Sequence, residues 1–400
     1  MNNETRKETQ VLPKDVRCVG ADDLTLSLFE NQYPVQPMGV SYNSYLILDE
    51  KIAVMDSVDA RAADEWLAKL AHELDGRSPD YLVISHMEPD HSGSILRLAE
   101  KYQEMKLVGN TKTFTMLRQF FGAKAPTDDR LLEVGEGETL PLGAHTLHFM
   151  LAPMVHWPEV MVAYEETEKL LFSADAFGRF GALSRTAGAP WAPQARRYYY
   201  NIVGKYGAQV QALLKKASAL EIKTVCPLHG PVLTGEALGE ALRLYDLWSR
   251  WQSESPDDIL LAHASIHGNT ARAAELFKQK LEAKGARVTL CDLTTTEVSY
   301  AVANAFCCGK LVLACSTYDG GLFPPMEEFL SHLQAKGFRD RSVGLMENGS
   351  WAPAAARLMR AKLEEMKDLR VCGTVVSLRS ALSPASEAQI DALTTELCAK

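Results

Sequence analysis

The stretch PDYLVISHMEPDHSGSILRLAEKY, residues 79–102, decides how the first half of this 400-residue chain reads. Its apolar run YLVI is short and β-rich, as a buried strand is, and SGSILRLAEKY after it has the apolar spacing of an amphipathic helix. Between them stand His86, Glu88, Asp90 and His91, four potential metal ligands in six residues, in a chain with only 10 histidines. In an extended loop alternate side chains point the same way, so His86, Glu88 and Asp90 are expected to converge while His91 turns toward a second centre.

Outward from that hexapeptide, the chain up to about residue 250 reads as short strands with helices interspersed. NSYLILDE and KIAVMDS flank a polar turn and read as a β-hairpin; HTLHFMLAP, EVMVAYE and KLLFSADA are three further strands. AQVQALLKKASAL and ALGEALRLYDLWSRWQ are amphipathic helices, which makes this half α+β, or layered αββα. His156 in APMVHWPE, Asp175 in LLFSADAFG and His229 in CPLHGP each lie just past an apolar run, where a scaffold presents functional side chains. Any one of them alone reads as an ordinary loop residue. Together with the hexapeptide they form the series His-Glu-Asp-His-His-Asp-His, enough for two metal ions sharing one carboxylate.

At Gln252–Asp257 the composition shifts to QSESPD, a polar stretch of the kind that links domains, which places the boundary between residues 1–254 and 255–400. Five apolar strands follow, DILLAHAS, ARVTLCDL, KLVLACS, RSVGLME and LRVCGTVVSL, each with a helix after it, as in a doubly wound parallel sheet. Directly after the first strand stand Ser265, His267, Gly268, Asn269 and Thr270. Hydroxyl and amide groups beside a helix N-terminus can surround a phosphate without Lys or Arg. The loop is similar to the phosphate loop of flavodoxins, and G-x-G-x-x-G is missing. Two later strand ends add Ser316, Thr317, Tyr318, Asp319, Gly320 and Gly321, then Asn348, Gly349, Ser350 and Trp351. Small residues let the backbone approach a flavin ring, and Tyr318 or Trp351 can stack on it.

Composition narrows the partners. The chain is 46% apolar and 23% charged, ordinary globular usage, and its net charge of −9 opposes binding to phosphate backbones, so no nucleic acid is expected. No stretch has the length of uncharged residues that crosses a bilayer, and Met1–Cys18 has no signal-peptide core; no membrane partner and a cytoplasmic location are expected. The eight cysteines include no C-x-x-C pair and read as buried reduced thiols, so a four-sulfur rubredoxin iron is absent from the chain.

The ligand series resembles that of the metallo-β-lactamase fold, whose hydrolases carry H-x-H-x-D-H followed by His, Asp and His. Here Glu88 stands at the middle position. An oxygen-rich mixed donor set suits non-haem iron better than zinc. H-x-E-x-D-H in a lactamase-like domain ahead of a flavodoxin-like domain is similar to the flavodiiron proteins, or A-type flavoproteins, over essentially the whole chain. The resemblance implies two iron ions and FMN: His86, Glu88, His156 and Asp175 on one iron, and Asp90, His91, Asp175 and His229 on the other. Family members differ in whether the residue matching His91 reaches its iron. It also implies that a tyrosine of the run RRYYYNIVGKY, Tyr198 or Tyr199, approaches the site with its hydroxyl, ordinary aromatic packing being the other reading.

The activity so implied is terminal reduction of dioxygen to water, of nitric oxide to nitrous oxide, or both. Electrons would come from a separate donor, most commonly rubredoxin, since no such domain follows within the sequence. Family members pair head to tail so that the flavin of one chain faces the diiron site of the other, which implies a homodimer, or a tetramer of two such pairs. The rival readings are a zinc hydrolase with a flavodoxin-like appendage, and an electron carrier or redox sensor with a vestigial metal site.

Overall fold

The computed structural model describes residues 12–399, so the expectation of no leader in Met1–Cys18 lies, for residues 1–11, outside the described part. Contacts divide the chain into two compact units, Met1–Asp246 and Leu247–Lys400.

The first unit is built on two six-stranded sheets. The expected hairpin is present: Tyr45–Ile47 pairs antiparallel with Ala53–Met55, Leu46 opposite Val54. Strand alternation then sorts its residues. Tyr45, Ile47, Ala53 and Met55 join a core shared with Leu147, Phe149, Met161, Ala163 and Phe172 of the second sheet. Leu46 and Val54 are equally buried but lie outside that core, so the opposite face of the sheet is covered as well, the condition for αββα layering. Each such apolar side chain, fully buried, contributes about 1.5–3 kcal/mol. Helix Ala63–Leu74 buries Trp66, Leu70 and Leu74, one stripe at i, i+4 and i+8.

In the second unit five parallel strands lie in the order 2-1-3-4-5, beginning with Ser255–Ala264 and Val288–Asp292. The continuous apolar runs arise because both faces are buried: Leu261, Val312, Ala314 and Met346 pack against Phe277, Leu281, Ile390 and Leu393 of two helices, while Leu260 and Leu313 are buried outside that cluster. The three strand ends expected to carry the cofactor thus project from one kind of edge, the carboxyl edge.

The boundary differs from the expected 254/255. The polar QSESPD stretch is not a free tether. Trp248 Nε1 donates to Glu254 Oε1, Arg341 donates to the Trp251 carbonyl, the Arg339 guanidinium lies 3.9 Å from the centre of the Trp251 ring, and Ser255 already pairs with Cys308. These contacts bind residues 248–255 to the second unit and move the division to 246/247. Among the described residues no helix is long and apolar enough to cross a membrane.

Candidate metal centre and cofactor pocket

The strand Tyr81–Val83 delivers His86 and Glu88 in extended backbone, but Pro89 then starts a short helix, Pro89–Ser92. Proline is pre-set for that first helical position. This turn corrects the alternation argument: Asp90 does not converge with His86 and Glu88, because the helical turn carries it with His91 to the other side. Two groups result, His86–Glu88–His156–Asp175 and Asp90–His91–His229, the ligand atoms of each lying within 4.8 Å of one another.

Asp175 links them. Its Oδ2 is 3.1 Å from His156 Nε2 and 3.6 Å from His86 Nε2, and its Oδ1 is 3.2 Å from His91 Nε2 and 3.7 Å from His229 Nε2. Glu88 Oε2 lies 3.2 Å from His86 Nε2 and 3.0 Å from His156 Nε2; Asp90 Oδ2 lies 3.2 Å from both His91 Nε2 and His229 Nε2. Both Asp90 oxygens and Asp175 Oδ1 are buried without a hydrogen bond, and two imidazole nitrogens, His91 Nε2 and His229 Nε2, face each other at 3.1 Å. Carboxylates and imidazole lone pairs crowded in this way require positive charge among them, from protons or from cations, and a mixed N/O donor set of this size fits two metal ions.

The electrostatics agree. Burial opposes charge on each imidazole, but the facing carboxylates outweigh it, pushing His91 up to about 10 and His156 up to about 9. Burial likewise works against ionising Asp175 and Asp90, and the histidines beside them nevertheless hold both carboxyls below their ordinary values.

Two outer contacts orient the imidazoles, and the sequence reading did not include them. Glu159, fully buried, accepts from His86 Nδ1 at 2.7 Å and from the Met87 amide at 2.9 Å; the Ser41 carbonyl accepts from His229 Nδ1 at 2.7 Å. For Glu159 a signal existed: an acidic residue in HWPEVMV, directly ahead of a buried strand. For Ser41 there was none, since a backbone carbonyl leaves no mark on the sequence.

Helix Trp191–Tyr198 passes into a wider π turn at Tyr199–Val203, and this separates the tyrosines. The Tyr198 ring lies 5.5 Å from that of His229, its hydroxyl buried without a hydrogen bond, and burial with Asp175 and Asp90 nearby raises its pKa well above the ordinary value. The structure does not bring Tyr199 to the ligands; it packs edge-on to Tyr200 and Tyr245. A cavity of about 580 Å³ opens over Glu88 and Asp90, its wall including Leu28, Phe29, Tyr42 and Arg61.

In the second unit a cavity of about 550 Å³, within the range of cofactor sites, is lined by Ser265, His267, Asn269 and Thr270, by Ser316, Thr317, Tyr318, Asp319 and Gly320, and by Asn348, Gly349, Ser350 and Trp351. Ile266, Ala352 and Ser380 join them unforeseen; Ser380 follows the fifth strand, where the strand-end rule applied equally. Gly268 and Gly321 do not line it. Gly268 instead supplies a φ of +86° that starts helix Asn269–Ala283, and Gly321 pairs with Tyr318 in a short antiparallel ladder. Thr270 Oγ1 sits 2.9 Å from Ser316 Oγ and accepts from Asn348 Nδ2 at 3.2 Å. No lining residue is Lys or Arg. Hydroxyls, amides and a helix N-terminus form a donor set that fits a phosphate monoester, and exposed Tyr318 and Trp351 offer ring faces beside it.

A family model described as ODP family beta lactamase matches residues 40–230. Over the whole chain, the rubredoxin oxygen:oxidoreductase of the anaerobe Desulfovibrio gigas superposes with a TM-score of 0.88 at 25% identity, covering 97% of each chain. The flavodiiron protein of Giardia intestinalis gives 0.86 at 26% identity, over 99% of this chain and 97% of that one. The chain is similar to flavodiiron proteins over nearly its whole length. Among sequence relatives, a protein named nitric oxide reductase from Moorella thermoacetica is 27% identical over 87% of this chain and 88% of its own length. The expected lactamase-like and flavodoxin-like architecture is the one observed, in the same order.

Proposed function

We propose that this chain is a terminal oxidoreductase that reduces dioxygen to water, nitric oxide to nitrous oxide, or both, at a non-haem diiron centre fed through FMN. The observation that carries the reading is Asp175, whose two oxygens are directed one to each of two histidine–carboxylate groups. When bound, FMN takes up two electrons and releases them singly, and an iron pair binds and reduces a diatomic gas.

The chain's own residues divide the remaining work. His86, Glu88 and His156 would hold one iron and Asp90, His91 and His229 the other, with Asp175 offering an oxygen to each group. The hydroxyls of Ser265, Thr270 and Ser316 and the amide of Asn348 would take the flavin phosphate. Tyr198, its hydroxyl buried without a hydrogen bond and its ring 5.5 Å from that of His229, would supply a proton to the site. The cavity over Glu88 and Asp90 admits the gas. Glu88 is also what disfavours the zinc-hydrolase reading, since it replaces an imidazole by a harder oxygen donor.

The name of the Desulfovibrio gigas relative supports a rubredoxin-type donor, and the family resemblance supports a head-to-tail dimer, or a tetramer of two such pairs, working in the cytoplasm. Protein purified without oxygen should contain about two irons and one FMN per chain and consume oxygen or nitric oxide when supplied with reduced rubredoxin. Two zinc ions with hydrolase activity and no gas consumption would refute the proposal.

A further inference from the structure

The two ligand groups are matched in their direct donors. Each has two imidazoles, one carboxylate of its own and one oxygen of Asp175. They differ one layer further out. In the first group the Nδ1 proton of His86 goes to a carboxylate that is itself fully buried, Glu159, fixed in turn by the Met87 amide, while Asn110 Nδ2 donates to the Glu159 carbonyl at 2.6 Å. The second carboxylate oxygen, Oε2, is buried with no hydrogen bond, so its charge is spent on few partners besides His86 and Met87. In the second group the Nδ1 proton of His229 goes to the neutral Ser41 carbonyl, and His91 Nδ1 is buried with no hydrogen bond at all. An imidazole that hydrogen-bonds to a carboxylate is a stronger donor through its other nitrogen than one bonded to a carbonyl.

We propose that Glu159 makes the two metal positions unequal, strengthening His86 as a donor so that the His86–Glu88–His156 position binds a divalent cation more tightly than the Asp90–His91–His229 position. The inference rests on the two-metal reading above. Glu159 is a positioning residue, acting on the metal only through His86.

The test uses metal-free full-length chain and Co(II) as the probe, read by its visible absorption and independent of turnover. His229→Ala leaves the first position with its own ligands, and His156→Ala leaves the second. The His229→Ala chain should bind its single Co(II) at least about tenfold more tightly than the His156→Ala chain. Adding Glu159→Gln, which keeps the shape but removes the charge, should weaken binding about 10- to 100-fold in the first background and leave the second unchanged. Glu159→Asp, which restores the charge, should recover part of the loss. Equal loss in both backgrounds, or none in either, overturns the inference and leaves the two-metal reading standing. Failure of both single variants and of the wild type to bind Co(II) overturns that reading instead. Wild-type protein supplies a check that needs no substitution: one equivalent of ⁵⁷Fe(II) should give one Mössbauer doublet, and two doublets of equal area would overturn the preference.

Discussion

Metal loading should release protons, with a pH dependence that follows from the histidines. In the metal-free chain His156 titrates at about 9 and His91 at about 10, one in each ligand group. At a pH of about 7 both carry a proton, and a cation bound through Nε2 must displace it. At least one proton therefore leaves per metal. Between about pH 6 and 8, below both values, each apparent dissociation constant should fall about tenfold per pH unit, or about 1.4 kcal/mol per unit, and so about 100-fold over the range. Calorimetric titration of the apoprotein with Zn(II), in two buffers of different ionisation enthalpy, counts the protons directly. Affinity that is flat over this range, with less than one proton released per metal, would refute the charge balance derived for the cluster. The same groups set the stability of the metal-free fold. Both histidine pKa values are raised above the ordinary 6.5, so their contribution is complete below about 6.5 and is lost as pH rises through about 9 to 10. Asp90 and Asp175 are shifted downward, so theirs is present above the ordinary carboxylate value of 3.8 and is lost on further acidification. Chemical denaturation of the apoprotein should accordingly show falling stability from about pH 7 to 10, and the metal-loaded protein should not.

Asp175→Ala should deplete both metals together, where His156→Ala depletes one, as iron analysis per chain will show; retention of one full iron in Asp175→Ala would contradict the bridging role. Tyr198→Phe removes a buried hydroxyl without a hydrogen bond and should leave stability within about 1 kcal/mol or raise it, keep iron and FMN, and lower gas turnover about 100-fold; unchanged turnover excludes it as the proton donor. A Leu247–Lys400 fragment should fold and bind FMN by itself, and should exceed a Ser255–Lys400 fragment in stability by about 1–3 kcal/mol, because the shorter one loses the Trp251 carbonyl that Arg341 donates to; equal urea midpoints would refute this. Asp175→Ala chains co-expressed with chains altered at Gly268 and Thr270 should regain activity only as mixed dimers, and inactive purified mixed dimers would exclude electron transfer between chains.

Much of this protein was legible in one dimension. The hexapeptide from His86 to His91, the three later ligands at strand ends, the Glu88 position and the Ser265–Thr270 loop are local features, and the alternation of strand and helix after residue 255 is a periodicity that the sheet preserves. Burial on both faces writes itself into a strand as a continuous apolar run, so residues such as Leu260 and Val312 announced the parallel sheet without reference to any distant residue.

What the sequence by itself determined, then, was which residue types stand at which strand ends, and hence the two architectures and the candidate ligands. The tertiary structure alone decided how those ligands are grouped. A helical turn after Pro89 sends Asp90 and His91 away from His86 and Glu88 and brings His91 to His229, far along the chain. It alone set the ring of Tyr198 beside His229 while Tyr199 packs on Tyr200 and Tyr245, through a π turn that no residue pattern marks, and it brought Glu159 to His86 and the Ser41 carbonyl to His229. Residue type and spacing record what a local segment must bury or expose. Which lone pair faces which proton depends on the meeting of segments far apart in the chain, and that meeting is made by packing the two sheets on their common core.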